Sequence, residues 1–182
     1  MGTYCNELEE TGMGAVLIDV FRLSQDRQCA SGVLEVSELP RLAAAPGAFL
    51  SGHLAWRAQG TEGRRGLAGA VLSVKGELHG TCCRCGAPIT LPVHLETSFL
   101  FAKSEAEADA IPLSEDGDDE IVVGSTRFDA AAWVEEEVLL ALPLFPAHDD
   151  CEPPSGPGEE DEPGKGGSRS PFAVLAGLKV RH

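Results

Sequence analysis

Two stretches of the chain alternate between apolar and polar residues with a period of two. Leu72, Val74, Gly76 and Leu78 alternate with Ser73, Lys75, Glu77 and His79. Further on, Ile89, Leu91, Val93, Leu95, Thr97, Phe99 and Phe101 alternate with Thr90, Pro92, His94, Glu96 and Ser98. Successive side chains of an extended backbone point to opposite faces, so each stretch reads as a strand with one buried and one wet face. The short connection between them, which ends in Gly86-Ala87-Pro88, predicts an antiparallel hairpin. Pro92 has no N–H to give to a ladder and is expected to face away from a partner strand or to lie at an edge.

Shorter apolar runs predict strands over residues 15–23, 31–36, 50–58 and 120–123, with a Gly- and Arg-rich turn over 60–66. Ser37 is placed to cap a short helix over 38–45 that ends at Pro46-Gly47. Asp129 is placed to cap a second helix over 130–142, stopped by Pro143. In that helix Val134, Val138, Ala141 and Leu142 share one face, and Glu135, Glu136 and Glu137 fall mostly on the other, wet one. The fold class predicted is α+β, a mostly antiparallel sheet centred on the hairpin with a few packed helices. Residues 104–117 read as a mobile acidic loop. The division expected is a single domain over 1–146, a flexible acidic Gly/Pro-rich linker over 147–170, and a short helical motif over 171–182. Ser170 and Pro171 form a cap and first-turn proline, and Phe172, Leu175 and Leu178 recur at helical spacing. An apolar helical turn at the end of a tether docks either on its own domain or on a partner.

Composition sharpens this picture in two ways. With 43% hydrophobic residues in 182, the chain has enough apolar side chains for a core, and with 5% aromatics that core is mostly aliphatic. The formal net charge is −15, unevenly spread. Residues 1–100 carry 8 basic and 10 acidic side chains, whereas residues 101–182 carry 6 basic and 19 acidic ones. Such acidity keeps a protein soluble, and it also suits a basic partner such as a ribosomal protein. It repels phosphates, and no basic stripe for unaided tight RNA binding is visible in the sequence. Residues 1–10 are polar and acidic, and the apolar run at 15–20 is too short for a secretory core or a membrane span. The expected location is therefore the cytoplasm, with no membrane partner, and the six cysteines read as reduced thiols or metal ligands.

Three of those cysteines lie in Cys82-Cys83-Arg84-Cys85-Gly86, at the predicted hairpin tip. Cys82 and Cys85 have the spacing of half a zinc site, with a glycine that lets backbone amides turn toward the thiolates. A second pair with two intervening residues follows in His148-Asp149-Asp150-Cys151. Cys82, Cys85, His148 and Cys151 are thus candidate zinc ligands; the alternative is a set of reduced cysteines at a turn, with Arg84 exposed. A redox dithiol would want its first cysteine at a helix N-terminus, and here the sequence leads into a strand. No nucleophile elbow, P-loop or dinucleotide-binding glycine signature is present, so nothing makes a positive case for an enzyme or for a small-molecule substrate.

Several short motifs stand in a fixed order: Cys82-x-Arg84-Cys85-Gly86; Phe128-Asp129 leading into Val134-Glu135-x-Glu137-Val138-x-Leu140-Ala141-Leu142-Pro143; Pro146-x-His148; and Pro171-Phe172-Ala173-Val174-Leu175-x-x-Leu178-Lys179. In this order the chain resembles the large ribosomal RNA subunit accumulation protein family, the YceD-like proteins of bacteria and plastids. Phe21-Arg22-Leu23 and Ser31-Gly32 fit it too. The resemblance implies a ribosome-biogenesis factor, not an enzyme, that supports synthesis, processing or stability of large-subunit (23S) ribosomal RNA. It implies partners among the rRNA precursor, its processing factors or a basic ribosomal protein. Arg84, Glu135, Glu137, Pro171, Phe172, Leu175 and Leu178 are the positions it marks for interaction. Cys83 departs from the family pattern, which usually has Gln or another polar residue there. The second expectation carried forward is a zinc-dependent RNA-binding or RNA-processing protein that uses the Cys82–Cys85 knuckle.

Overall fold

The computed structural model describes residues 6–7, 16–47, 49–64, 66–111 and 119–153. In chain order the strands are β1 (Asn6–Glu7), β2 (Leu17–Ile18), β3 (Cys29–Glu35), β4 (Ser51–Thr61), β5 (Ala68–Thr81), β6 (Pro88–Ala102), β7 (Asp119–Val123) and β8 (Phe128–Asp129). The helices are α1 (Val20–Gln25), α2 (Pro40–Ala43), α3 (Glu105–Asp109) and α4 (Ala130–Ala141), with a 3-10 turn at Val36–Glu38. Six strands form one sheet in the order β1-β3-β4-β5-β6-β7, and β2 pairs with β8 apart from it. The central pairings β3–β4, β4–β5 and β5–β6 are antiparallel, while the outer β1–β3 and β6–β7 pairings are parallel. The class is α+β, as the patterning predicts.

The hairpin β5–β6 is the spine of the sheet, in register from Ala68↔Phe101 to Thr81↔Pro88. Its alternation is realised in burial. Ala70, Leu72, Val74 and Leu78 of β5 line the core face with Val93, Phe99 and Phe101 of β6 and with Leu54, Trp56 and Ala58 of β4. The opposite face exposes His53, Arg57, Lys75, Glu77, His79, His94 and Glu96. β7 pairs only with Ser98–Ala102, so among the described residues the stretch 88–97 of β6 has one ladder partner. Pro92 lies on that open edge, where its missing N–H costs nothing.

α4 closes the core. Asp129 accepts hydrogen bonds from the amides of Ala131 and Ala132, the cap that the sequence predicts. Trp133 sits edge-on to Phe99 at 4.8 Å between ring centroids, and also meets Phe101 and Phe128.

The structure departs from expectation in several places. The apolar run at 15–23 is not one strand: Asp19 accepts from the amides of Phe21 and Arg22 and starts α1, whose Val20 and Leu23 are buried. The helix expected over 38–45 begins at Pro40, whose fixed φ suits a first turn, after a 3-10 turn closed by Glu35 and Glu38. Residues 105–109 of the expected acidic loop form α3, capped by Ser104, while residues 112–118 lie outside the described residues. Finally, Cys29 is disulfide-bonded, so the reading of every cysteine as a reduced thiol or ligand fails for it. No helix among the described residues is long and apolar enough to cross a membrane.

Candidate metal centre

The tip of β5–β6 is a six-residue connection drawn tight by its own backbone. The amide of Cys82 donates to the Ala87 carbonyl at 2.8 Å and the amide of Gly86 to the Cys82 carbonyl at 3.0 Å. Gly86 has φ 74, left-handed backbone that a residue with a Cβ adopts reluctantly. The turn aims two further amides at one sulfur: Arg84 N and Cys85 N lie 3.4 and 3.5 Å from Cys82 Sγ.

Two other segments meet the tip. Thr81 N donates to the carbonyl of Gly47 at 2.6 Å, and Cys83 N to the carbonyl of Pro146 at 2.7 Å. Gly47 and Pro146 touch so closely that a Cβ at Gly47 would lie 2.5 Å from Pro146 Cγ. Pro143 ends α4, and the chain then runs through exposed Leu144 and Phe145 to buried Pro146 and on to the tip. This route brings His148 and Cys151 to Cys82 and Cys85.

The four expected ligands converge, with all their donor atoms within 4.8 Å of one another. Cys82 Sγ is 3.6 Å from Cys151 Sγ, and Cys85 Sγ is 3.5 Å from His148 Nδ1. His148 Nε2 lies 3.1 Å from the Pro88 carbonyl. A carbonyl only accepts, so Nε2 carries the proton and the lone pair of a neutral ring is left on Nδ1, facing the sulfurs. Three soft sulfurs and an imidazole are a donor set that could bind a metal such as zinc. Cys83 is exposed and outside the cluster.

Charge in the cluster is unevenly held. Burial pushes the Cys82 thiol up, but the amides of Cys85, His148 and Arg84 and the side chain of Cys85 outweigh it and bring the thiol from 9.0 down to about 5. Cys151 is pushed up, by burial and then by its hydrogen bonds to Cys82 and Cys85 and their charge.

Other marked positions fall elsewhere. Arg84 is exposed, and its guanidinium donates to the Cys151 carbonyl at 3.1 Å, one more tie between tip and tail. Glu135 and Glu137 are buried on α4, at 5% and 6% exposure, not on a wet face. Glu135 Oε1 accepts from the amides of Arg41 at 2.7 Å and Leu42 at 3.0 Å, while the Arg41 side chain pairs with Glu136. Glu135 faces inward because the first turn of α2 needs an acceptor for its amides, a demand of tertiary structure with no local signal, while Glu137 meets Thr97 of β6. Pro171, Phe172, Leu175 and Leu178 lie outside the described residues.

These observations define an α+β domain with a four-donor thiol–imidazole cluster at the tip of its central hairpin. The chain belongs to the family described as large ribosomal RNA subunit accumulation protein YceD, whose sequence model matches residues 70–179. That match begins at the central hairpin and takes in all four donors. No solved structure matches the chain.

Proposed function

We propose that this protein is a non-enzymatic factor in biogenesis of the large ribosomal subunit, acting in the cytoplasm to support synthesis, processing or stability of 23S ribosomal RNA. The observation that carries this reading is membership of the family over residues 70–179. The chemistry of the surface agrees with a protein partner. The formal charge of −15 disfavours unaided contact with phosphates and favours a basic ribosomal protein or an rRNA-processing factor. Leu140, Leu144 and Phe145 are exposed in one short stretch at the end of α4, a place where an apolar contact would add to charge attraction. Arg84, Glu135, Glu137 and the 171–179 motif serve this role as contacts or as supports of contacts. The test is purification of the tagged full-length protein from its own cells in mild salt. Large-subunit precursor, a ribosomal protein or a processing factor is expected to co-purify; their absence contradicts the reading.

The four-donor cluster favours a second reading, a zinc-dependent RNA-binding or RNA-processing protein in which Arg84, on the exposed tip, contacts RNA. Its mark is a salt-sensitive affinity for RNA that falls on Arg84→Ala substitution. An affinity that ignores both salt and that substitution excludes it.

A further inference from the structure

We propose that Cys82, Cys85, His148 and Cys151 hold one zinc ion in a closed, purely structural site, whose work is to fasten residues 146–151 to the tip of the β5–β6 hairpin. This shares the metal with the second reading above but stands on geometry alone, and it holds or fails independently of any ribosomal role.

The spacing of the donors carries the inference. In a tetrahedral site with zinc–sulfur bonds of about 2.3 Å and zinc–nitrogen bonds of about 2.0–2.1 Å, sulfurs stand roughly 3.8 Å apart and a sulfur and a nitrogen roughly 3.6 Å apart. The Cys82–Cys151 and Cys85–His148 separations, 3.6 and 3.5 Å, are close to those two edges. A disulfide between Cys82 and Cys151 would instead need about 2.05 Å, and it would leave Cys85 and His148 facing it without purpose. The surroundings match what a metal site requires. His148 is held in the ligating tautomer by the Pro88 carbonyl, the outer contact that orients a metal-bound imidazole. The Arg84 and Cys85 amides point at Cys82 Sγ, where thiolate charge must be stabilised.

Four protein donors fill a tetrahedron and leave no position for water or substrate, which separates a structural zinc from a catalytic one. Binding displaces the thiol protons to solvent and moves no electrons. The four ligands come as two pairs, one from the hairpin tip and one from the chain that follows α4. Closing the site therefore joins segments more than sixty residues apart in sequence, beside the hydrogen bonds from Cys83 N to Pro146 and from Arg84 to Cys151. The chain beyond residue 151 then departs from a fixed point on the sheet.

The experiment uses the full-length protein purified under reducing conditions without chelator. Elemental analysis is expected to find about one zinc per chain, with Cys83→Ser unchanged and Cys85→Ser and Cys151→Ser losing most of it. Because a ligand variant can fail to fold, wild type is also loaded with cobalt(II). Intense sulfur-to-cobalt charge transfer with tetrahedral ligand-field bands is expected, and His148→Cys is expected to keep the metal with stronger charge transfer. Hydrogen exchange completes the test: chelator should raise exchange at residues 82–87 and 146–151 and leave β4 and β5 protected. Wild type with far less than one equivalent and no tetrahedral cobalt spectrum overturns the metal. A Cys82–Cys151 disulfide in place of bound metal overturns it too. Bound metal with exchange at 146–151 indifferent to chelator overturns the fastening role.

Discussion

Glu135 shows how much can hang on one side chain. Its carboxylate supplies the acceptor for two amides at the start of α2, and it does so while buried. Removing a buried acceptor strands its donors, which costs about 1–3 kcal/mol. Glu135→Ala should lose stability of that order in urea unfolding, and Glu135→Gln less, because its amide oxygen still accepts. Glu137 is a different case. Burial, and then the charge of Glu120, hold its carboxyl above 4.5, against a smaller opposing hydrogen bond from Thr97. The folded state thus binds this proton more tightly than the unfolded state does. The contribution is full below the unfolded value and is lost as pH rises through the folded one. Glu137→Gln should remove that slope, so the variant gains on wild type as pH rises from below 4.5 toward neutrality. Equal pH profiles for the two proteins would show that Glu137 does not titrate differently on folding.

At the scale of elements, α4 is held by Trp133 among Phe99, Phe101 and Phe128. Trp133→Ala should cost about 3–5 kcal/mol in chemical denaturation. Trp133→Phe should cost less than its lost volume suggests, because the buried Trp133 indole N–H has no hydrogen-bond partner among the described residues. The elements also show which part of the fold was legible in sequence. The β5–β6 hairpin was, because a half-buried strand writes its two faces into alternate residues. α4 was, because Asp129 carries the cap in its own side chain. The α1 run was not: Val16, Leu17, Ile18 and Val20 are β-branched or apolar throughout, and only Asp19 in their midst marks the change from strand to helix. The convergence of His148 and Cys151 on Cys82 and Cys85 was half legible. Spacing within each pair is local, but their meeting depends on Pro143 ending α4 and on the packing of Pro146 against Gly47, which no local pattern encodes. Gly47→Ala tests that packing. With φ 96 and only 2.5 Å to Pro146, it should destabilise by at least about 1 kcal/mol and weaken metal retention as well.

For the whole molecule, the sheet and α4 share one hydrophobic core, and the family match takes in the hairpin, α4 and the four donors at the tip. The acidic charge lies mostly in residues 101–182, and Leu144 and Phe145 are exposed just beyond α4. The direct test of the ribosomal role is the ratio of large- to small-subunit ribosomal RNA in cells from which the gene has been removed and then restored. The account predicts that the ratio falls on removal and recovers with the wild-type gene. A ratio that does not move on removal contradicts it.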